Sequence, residues 1–203
     1  MTAQAAAHPM PAETDHADIY EEKTLGFWLY MMSDAVIFAL LFATYVVMAG
    51  NIAEAPSPQS QFSLSHAFGE TMLLLTSSLT FGLASLALAA GRRRLLQGLL
   101  FVTFLLGLGF VLMELVEFQS MIAAGAGPDQ SGALSSFFVL VGTHGLHVSV
   151  GLAWILVMMA QVTFKGLTAP VASRLARLGL FWHFLDIIWV GIFSVVYLPG
   201  VME

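Results

Sequence analysis

The chain contains no cysteine and little charge. Without cysteine it can form no disulfide, no iron–sulfur cluster and no zinc site built on thiolates. Only 10% of its 203 residues are charged while 58% are hydrophobic, whereas a soluble domain would be about a quarter charged. No basic cluster with interleaved aromatic residues occurs, which argues against nucleic acid as a partner. The composition therefore predicts an integral membrane protein.

Five apolar segments are long enough to cross a bilayer, whose hydrocarbon core takes about 20 residues of helix. Short polar connections separate them, among them the tight turn "GRRR" and the glycine-rich "AAGAGPDQSG". The sequence predicts an all-α integral membrane protein with a five-helix transmembrane domain over residues 24–203. The predicted spans are about 25–49, 67–90, 95–122, 134–164 and 178–198.

The first 23 residues differ from the rest in composition. They lack the basic start and apolar core of a secretory signal peptide, and their alanine, proline and acidic content predicts a disordered acidic cytoplasmic tail, residues 1–23. With five spans, all 7 lysines and arginines fall on the side of the N-terminus. The positive-inside rule then predicts a cytoplasmic N-terminus and a periplasmic C-terminus.

Ionisable residues interrupt the apolar spans, where a charge is costly and usually has a structural or functional reason. Three pairs, in "MELVE", "HGLH" and "HFLD", stand three residues apart and so share one side of a helix. We expect an outer layer of Glu70, Glu114 and Glu117 and a deeper layer with Asp34, His183 and Asp186. The predicted buried polar residues, structural or lipid-associated, are Asp34, Glu70, Glu114, His144, His147, His183 and Asp186.

The histidines and aspartates also admit functional interpretations. His144 and His147 could ligate a haem or a metal, but a bis-histidine haem needs ligands from facing helices and a catalytic metal needs a third ligand. Hydrogen bonds between helices, made by neutral histidines, are the favoured interpretation. Asp34 and Asp186 could instead serve a proton-coupled carrier, although the spans contain no continuous chain of acids.

Small and aromatic residues in the spans predict packing and lipid contact, respectively. Glycines such as Gly107, Gly145 and Gly151 would let helix backbones approach closely, and aromatic rings commonly anchor at membrane interfaces. The predicted lipid or interface residues are Trp28, Trp182 and Arg177, with Tyr30, Trp189 and Tyr197 as further aromatic anchors. Since no complete active site emerges, the sequence favours a subunit of a larger complex.

Several stretches, in chain order, resemble subunit III of the haem–copper oxidases. They are "GFWLYMMSDAVIFALLFATYV", "ETMLLLTSSLTFG", "LMELVEF", "DQSGALSSFFVLVGTHGLHVSVGL" and "FWHFLDIIWVGIFSVVYL", and together they cover all five spans. "HGLHV" and "WHFLDIIW" are the most specific of these. The "SD" of the first span, where many relatives that oxidise cytochrome c carry Glu, and the overall length most resemble the members that oxidise ubiquinol.

The resemblance implies a chain without a catalytic residue, cofactor or metal of its own, since subunit I carries the haems, the copper and the proton channels. It implies subunit I as the main contact, subunit II in the same complex, and subunit IV near a V-shaped cleft between helices 1–2 and 3–5 that holds phospholipid. Asp34 matches the family's membrane-embedded acid of known carbodiimide reactivity, with Asp in place of Glu.

The expected function follows from the same resemblance. The chain would support assembly, stability and sustained activity of subunit I in a proton-pumping terminal quinol oxidase of the bacterial inner membrane. Subunit III of a cytochrome c oxidase is the alternative, and a di-haem membrane cytochrome and a proton-coupled carrier are more remote ones.

Overall fold

The described part of the chain is almost entirely helical. A computed structural model describes residues 11–49 and 64–198, which form two units, one ending at Val36 and one from Ile37 onward. The helices are α1 (Pro11–Met48), α2 (Leu64–Ala89), α3 (Arg93–Ala123), α4 (Gly132–Lys165) and α5 (Ala169–Ile192), and a π-helical turn, Phe193–Tyr197, follows. Each of these five helices contains a stretch long and apolar enough to cross a membrane, which confirms the predicted all-α membrane protein.

Every helix begins before its predicted span, three of them by only two or three residues and two of them, α1 and α5, by many more. α5 begins at Ala169, where Pro170 lies in the first turn, because proline has no amide hydrogen to leave unpaired there. α1 begins with Pro11 as its first helical residue, so this helix includes residues 11–23, which the sequence assigns to a disordered tail. Residues 1–10, the remainder of that predicted tail, lie outside the described residues.

Glycine ends α2 and thereby makes the tight turn into α3. Gly91 has a φ of 67°, a left-handed conformation that costs little only for a residue without a Cβ. The Gly91 amide donates to the Leu88 carbonyl and the Arg92 amide to the Ala87 carbonyl, at 3.0 and 2.9 Å. This Schellman motif satisfies the last carbonyls of α2 and places Arg92 directly beside the end of that helix.

Within the unit from Ile37 onward, α2 packs against α3 and α5, and α4 packs against the same two helices. The core contains side chains without exposed surface on several helices, for example Phe110, Phe137 and Ile155. Large apolar residues such as Leu146 and Ile187 are 65% and 70% exposed. Both the interior and the outward faces are therefore apolar, as expected where lipid is the solvent.

Candidate functional site

The three outer glutamates come together between α2 and α3. Glu70 of α2 lies close enough to Glu114 and Glu117 of α3 for their carboxyl groups to interact electrostatically. All three side chains are buried: Glu70 has no exposed surface, and Glu114 and Glu117 are 3% and 6% exposed. The Tyr197 hydroxyl donates to Glu117 Oε2 at 3.2 Å, whereas no described residue offers the Glu70 or Glu114 carboxyl groups a hydrogen bond.

A glycine of α4 makes room for one of these carboxyl groups. A Cβ at Gly145 would lie 2.6 Å from both carboxyl oxygens of Glu114, which is far inside van der Waals contact. The small residue therefore admits a polar side chain from α3 at this point.

The histidines of α4 occupy aromatic surroundings. His144 has no exposed surface, and its ring stacks on Trp189 with centroids 5.4 Å apart and meets the edge of Phe110 at 5.8 Å. The ring is thus packed among aromatic side chains, and no described residue offers either of its nitrogens a hydrogen bond, so the interhelical bond that the sequence favoured is absent at His144. His147 Nδ1 lies 2.7 Å from the Thr143 carbonyl oxygen of its own helix. Within the described ranges no group of three or more ionisable ligands is arranged to hold a metal ion.

Among the described side chains, three hydroxyl groups of α2 are each hydrogen-bonded to a ring nitrogen of α5. The bonds connect Thr71 Oγ1 with Trp189 Nε1 at 3.1 Å, Ser77 Oγ with Trp182 Nε1 at 3.2 Å, and Ser78 Oγ with His183 Nδ1 at 2.8 Å. We call this set the α2–α5 ladder. His183 Nδ1 also lies 3.5 Å from Asp186 Oδ2, so the polar pair of "HFLD" is attached to α2 through Ser78.

Trp182, Trp189 and Tyr197 correct the sequence prediction that they contact lipid or the interface. They are 1%, 1% and 2% exposed. The Trp182 indole lies in a slot between α3 and α4, because a Cβ at Gly107 or at Gly151 would each come within 2.9 Å of it. A sequence pattern typical of interfacial anchors failed here because each polar ring atom finds a partner inside the protein.

The other two predicted interface residues, Trp28 and Arg177, are not buried, and Asp34 lies in the other unit of the chain. Trp28 is 51% exposed and Arg177 is partly exposed. Asp34 belongs to the unit that ends at Val36, where Tyr30, one turn earlier, is hydrogen-bonded to its carboxylate. The predicted layer that Asp34 would share with His183 and Asp186 therefore stays a prediction.

Sequence reasoning missed the hydroxyl side of α2. Thr71 and Ser78 are seven residues apart and therefore share one face of the helix, with Ser77 beside them. Thr80 adds a bond from α2 to Thr103 of α3, with 2.8 Å between the hydroxyl oxygens. The spacing of these threonine and serine residues in the sequence could have predicted that this face of α2 forms hydrogen bonds to other helices.

The sequence is similar to known proteins over a range that includes all five helices. Residues 12–201 match the family described as cytochrome c oxidase subunit III. Cytochrome bo(3) ubiquinol oxidase subunit 3 of Pseudomonas aeruginosa is 50% identical over 98% of this chain and 95% of its own length. The Pseudomonas putida protein of the same name is 52% identical over 88% of this chain and 86% of its own length. Cytochrome c oxidase subunit 3 of Bacillus sp. is 41% identical over 90% of this chain and 88% of its own. The chain therefore belongs to the cytochrome c oxidase subunit III family.

Proposed function

We propose that this chain is the non-catalytic subunit III of a proton-pumping terminal quinol oxidase in the bacterial inner membrane. The observation that carries the proposal is the 50% identity to cytochrome bo(3) ubiquinol oxidase subunit 3 over 98% of the chain. In this role the chain supports assembly, stability and sustained activity of subunit I, which would hold the haems and the copper.

The interior of the chain suits a supporting role. Some of its polar groups bond across helices, as Ser78 does to His183 and Tyr197 to Glu117. Such bonds fix how the helices align, and a fixed alignment would give subunit I a constant surface to pack against. Subunit II would belong to the same complex, and subunit IV would lie close by. The location of every lysine and arginine on one side supports a cytoplasmic N-terminus.

We propose that a bound phospholipid occupies a groove other than the predicted cleft. A cleft between helices 1–2 and 3–5 would separate α2 from α3 and α5, yet α2 is hydrogen-bonded to both. The end of α1 and the start of α4 instead flank a groove of about 280 Å³ that is almost wholly apolar, with Leu41, Met48 and Val139 among its walls. We therefore assign an acyl chain to this groove, with subunit IV beside it.

Purification of the tagged chain from its native membrane in mild detergent tests the proposal. We expect it to co-purify with a larger haem- and copper-containing subunit and with ubiquinol oxidase activity. A strain without the chain should yield less complex, and its activity should decline during turnover. A Soret band from the lone chain would instead indicate a cytochrome, and transport by the lone chain in liposomes would indicate a carrier.

A second candidate is subunit III of a cytochrome c oxidase, which the 41% identity to the Bacillus protein of that name supports. The two candidates differ in the electron donor of the co-purified complex. Oxidation of reduced cytochrome c, with no oxidation of ubiquinol, would favour this second function over the first.

A further inference from the structure

An apolar groove runs along the outward faces of α2 and α3 and ends at the tight turn between them. It encloses about 330 Å³, within the range of roughly 300–1,000 Å³ that is typical of ligand sites. Leu83, Leu86 and Leu95 form its walls and Ala87 part of its floor, and all lie in the unit from Ile37 onward. From Leu83 to Ala90 the groove extends about 10 Å at ~1.5 Å per helical residue.

One arginine closes the groove at the membrane face. Arg92 belongs to its lining, and the Schellman turn at Gly91 holds its backbone beside the end of α2. The neighbouring Arg93 does not line the groove, and its guanidinium donates a hydrogen bond to the Thr163 carbonyl at the end of α4. Of the arginines in "GRRR", Arg92 is thus the one in the groove.

The charge at this end of the groove is uncompensated within the part of the chain whose side chains are described. There, no carboxylate lies within ion-pair distance of Arg92 or Arg94. Arg93 and Arg174 bond to neutral oxygens, the Thr163 carbonyl and the Gln161 amide. An apolar channel that ends in a free guanidinium complements a molecule with an acyl chain and a negative headgroup, and basic pockets between membrane helices bind such headgroups.

We propose that this groove is a binding site for one anionic phospholipid, with an acyl chain along Leu83 and Leu86 and its phosphate on Arg92. The site differs in place and chemistry from the groove between α1 and α4, which has no arginine among its lining residues. It requires only that the chain lie in a membrane, and it does not depend on the oxidase assignment.

Photo-crosslinking of the intact complex tests the site. The complex is reconstituted into phosphatidylcholine vesicles that contain a small fraction of probe, either phosphatidylglycerol or phosphatidylcholine with a diazirine on one acyl chain. Peptides covering residues 83–99 are then quantified by mass spectrometry. One arginine near an anionic lipid contributes about 1 kcal/mol, or roughly fivefold in occupancy. We expect the phosphatidylglycerol probe to label these peptides about fivefold more than the phosphatidylcholine probe.

Three variants separate the parts of the site. Arg92→Gln should reduce labelling by phosphatidylglycerol to the level of phosphatidylcholine, whereas Arg94→Gln, which removes the same charge from outside the groove lining, should preserve most of the preference. Ala90→Phe, at an exposed lining position, should fill the groove and reduce labelling by both probes.

Several results would overturn the site. Equal labelling by both probes would show that Arg92 does not bind the lipid headgroup. Equal effects of Arg92→Gln and Arg94→Gln would show that anionic lipid is attracted to the basic surface in general and not to Arg92 in particular. Absence of labelling by either probe would show that another subunit covers the groove. Arg92→Gln should leave co-purification and ubiquinol turnover unchanged, so a failure here is distinguishable from a failure of the proposed function.

Discussion

The slot around Trp182 allows the packing of α3, α4 and α5 to be tested quantitatively. Gly151→Ala would place a Cβ 2.9 Å from Trp182 Cζ3. The ring cannot withdraw, because Gly107 faces it from α3 and its own ideal Cβ would also lie 2.9 Å from the indole. Overpacking of this kind costs about 1–3 kcal/mol, and the better helix propensity of alanine offsets at most about 1 kcal/mol. We expect Gly151→Ala to lower the free energy of unfolding by about 1–2 kcal/mol.

A matched control and a double-mutant cycle isolate the steric cause. Gly82, on α2, has no neighbouring atom within 4 Å of an ideal Cβ, so Gly82→Ala should be neutral or stabilising by up to about 1 kcal/mol. Trp182→Leu removes the ring nearest the new Cβ and leaves Phe181 Cε1 at 3.3 Å from it. In that background the cost of Gly151→Ala should fall toward that of Gly82→Ala, which corresponds to a coupling free energy of about 1–3 kcal/mol between residues in contact.

The assay is unfolding of the purified chain in mixed micelles with increasing dodecyl sulfate, followed by far-ultraviolet circular dichroism. Two results would refute the packing described here. One is a Gly151→Ala variant that is as stable as the Gly82→Ala variant, and the other is a cost of Gly151→Ala that persists unchanged when Trp182 is leucine. Either result would mean that the indole does not fill the slot between the two glycines.

Substitutions at Tyr197 and Asp186 test the polar contacts by the same assay. Tyr197→Phe removes the bond to Glu117 and should cost about 0.5–1.5 kcal/mol; an unchanged midpoint would mean that this bond contributes nothing to stability. Asp186→Leu should destabilise the chain by a similar amount and weaken its retention in the oxidase without altering the haem spectrum, while Asp186→Asn, which can still bond to His183, should cost less. Normal assembly and sustained turnover of the leucine variant would contradict the structural role of Asp186.

The number of long apolar helices could be predicted from hydropathy, because a segment that crosses a bilayer must be both long and apolar, and the described residues contain five such helices. The start of α5 could not be predicted in this way. Hydropathy detects only the apolar part of a helix, and α5 begins at Ala169 with a more polar segment. α1 similarly extends back to Pro11, far outside its apolar stretch. Hydropathy thus predicts the apolar part of a helix, whereas these two helices begin beyond it, each with a proline in its first turn.

The roles of the glycines and tryptophans were only partly predictable. The sequence indicated that Gly107 and Gly151 would permit close packing, but what enters the space is the indole of Trp182 rather than another backbone. Such a slot requires two glycines on different helices to face one ring, and a single sequence contains no information on which residues face each other. The same indole was predicted at an interface because its amphipathic chemistry suits either place.

Hydrophobicity could not identify the buried face of α5, since lipid is as apolar as the protein interior. Ile187 and Val190, which are 70% and 46% exposed, are no more polar than the buried residues around Trp189. What distinguishes the inner face is the spacing of its polar ring atoms, each of which needs a partner where water is absent.

The α2–α5 ladder supplies these partners in a fixed register. As residue numbers rise along α5, the bonded positions on α2 fall, from Ser78 and Ser77 to Thr71, as an antiparallel pair requires. Sliding either helix by one turn, about 5.4 Å, would break every bond of the ladder at once and leave indole nitrogens unpaired in an apolar interior. The residues that make "WHFLDIIW" distinctive as a sequence are thus the ones that hold α5 in register against α2.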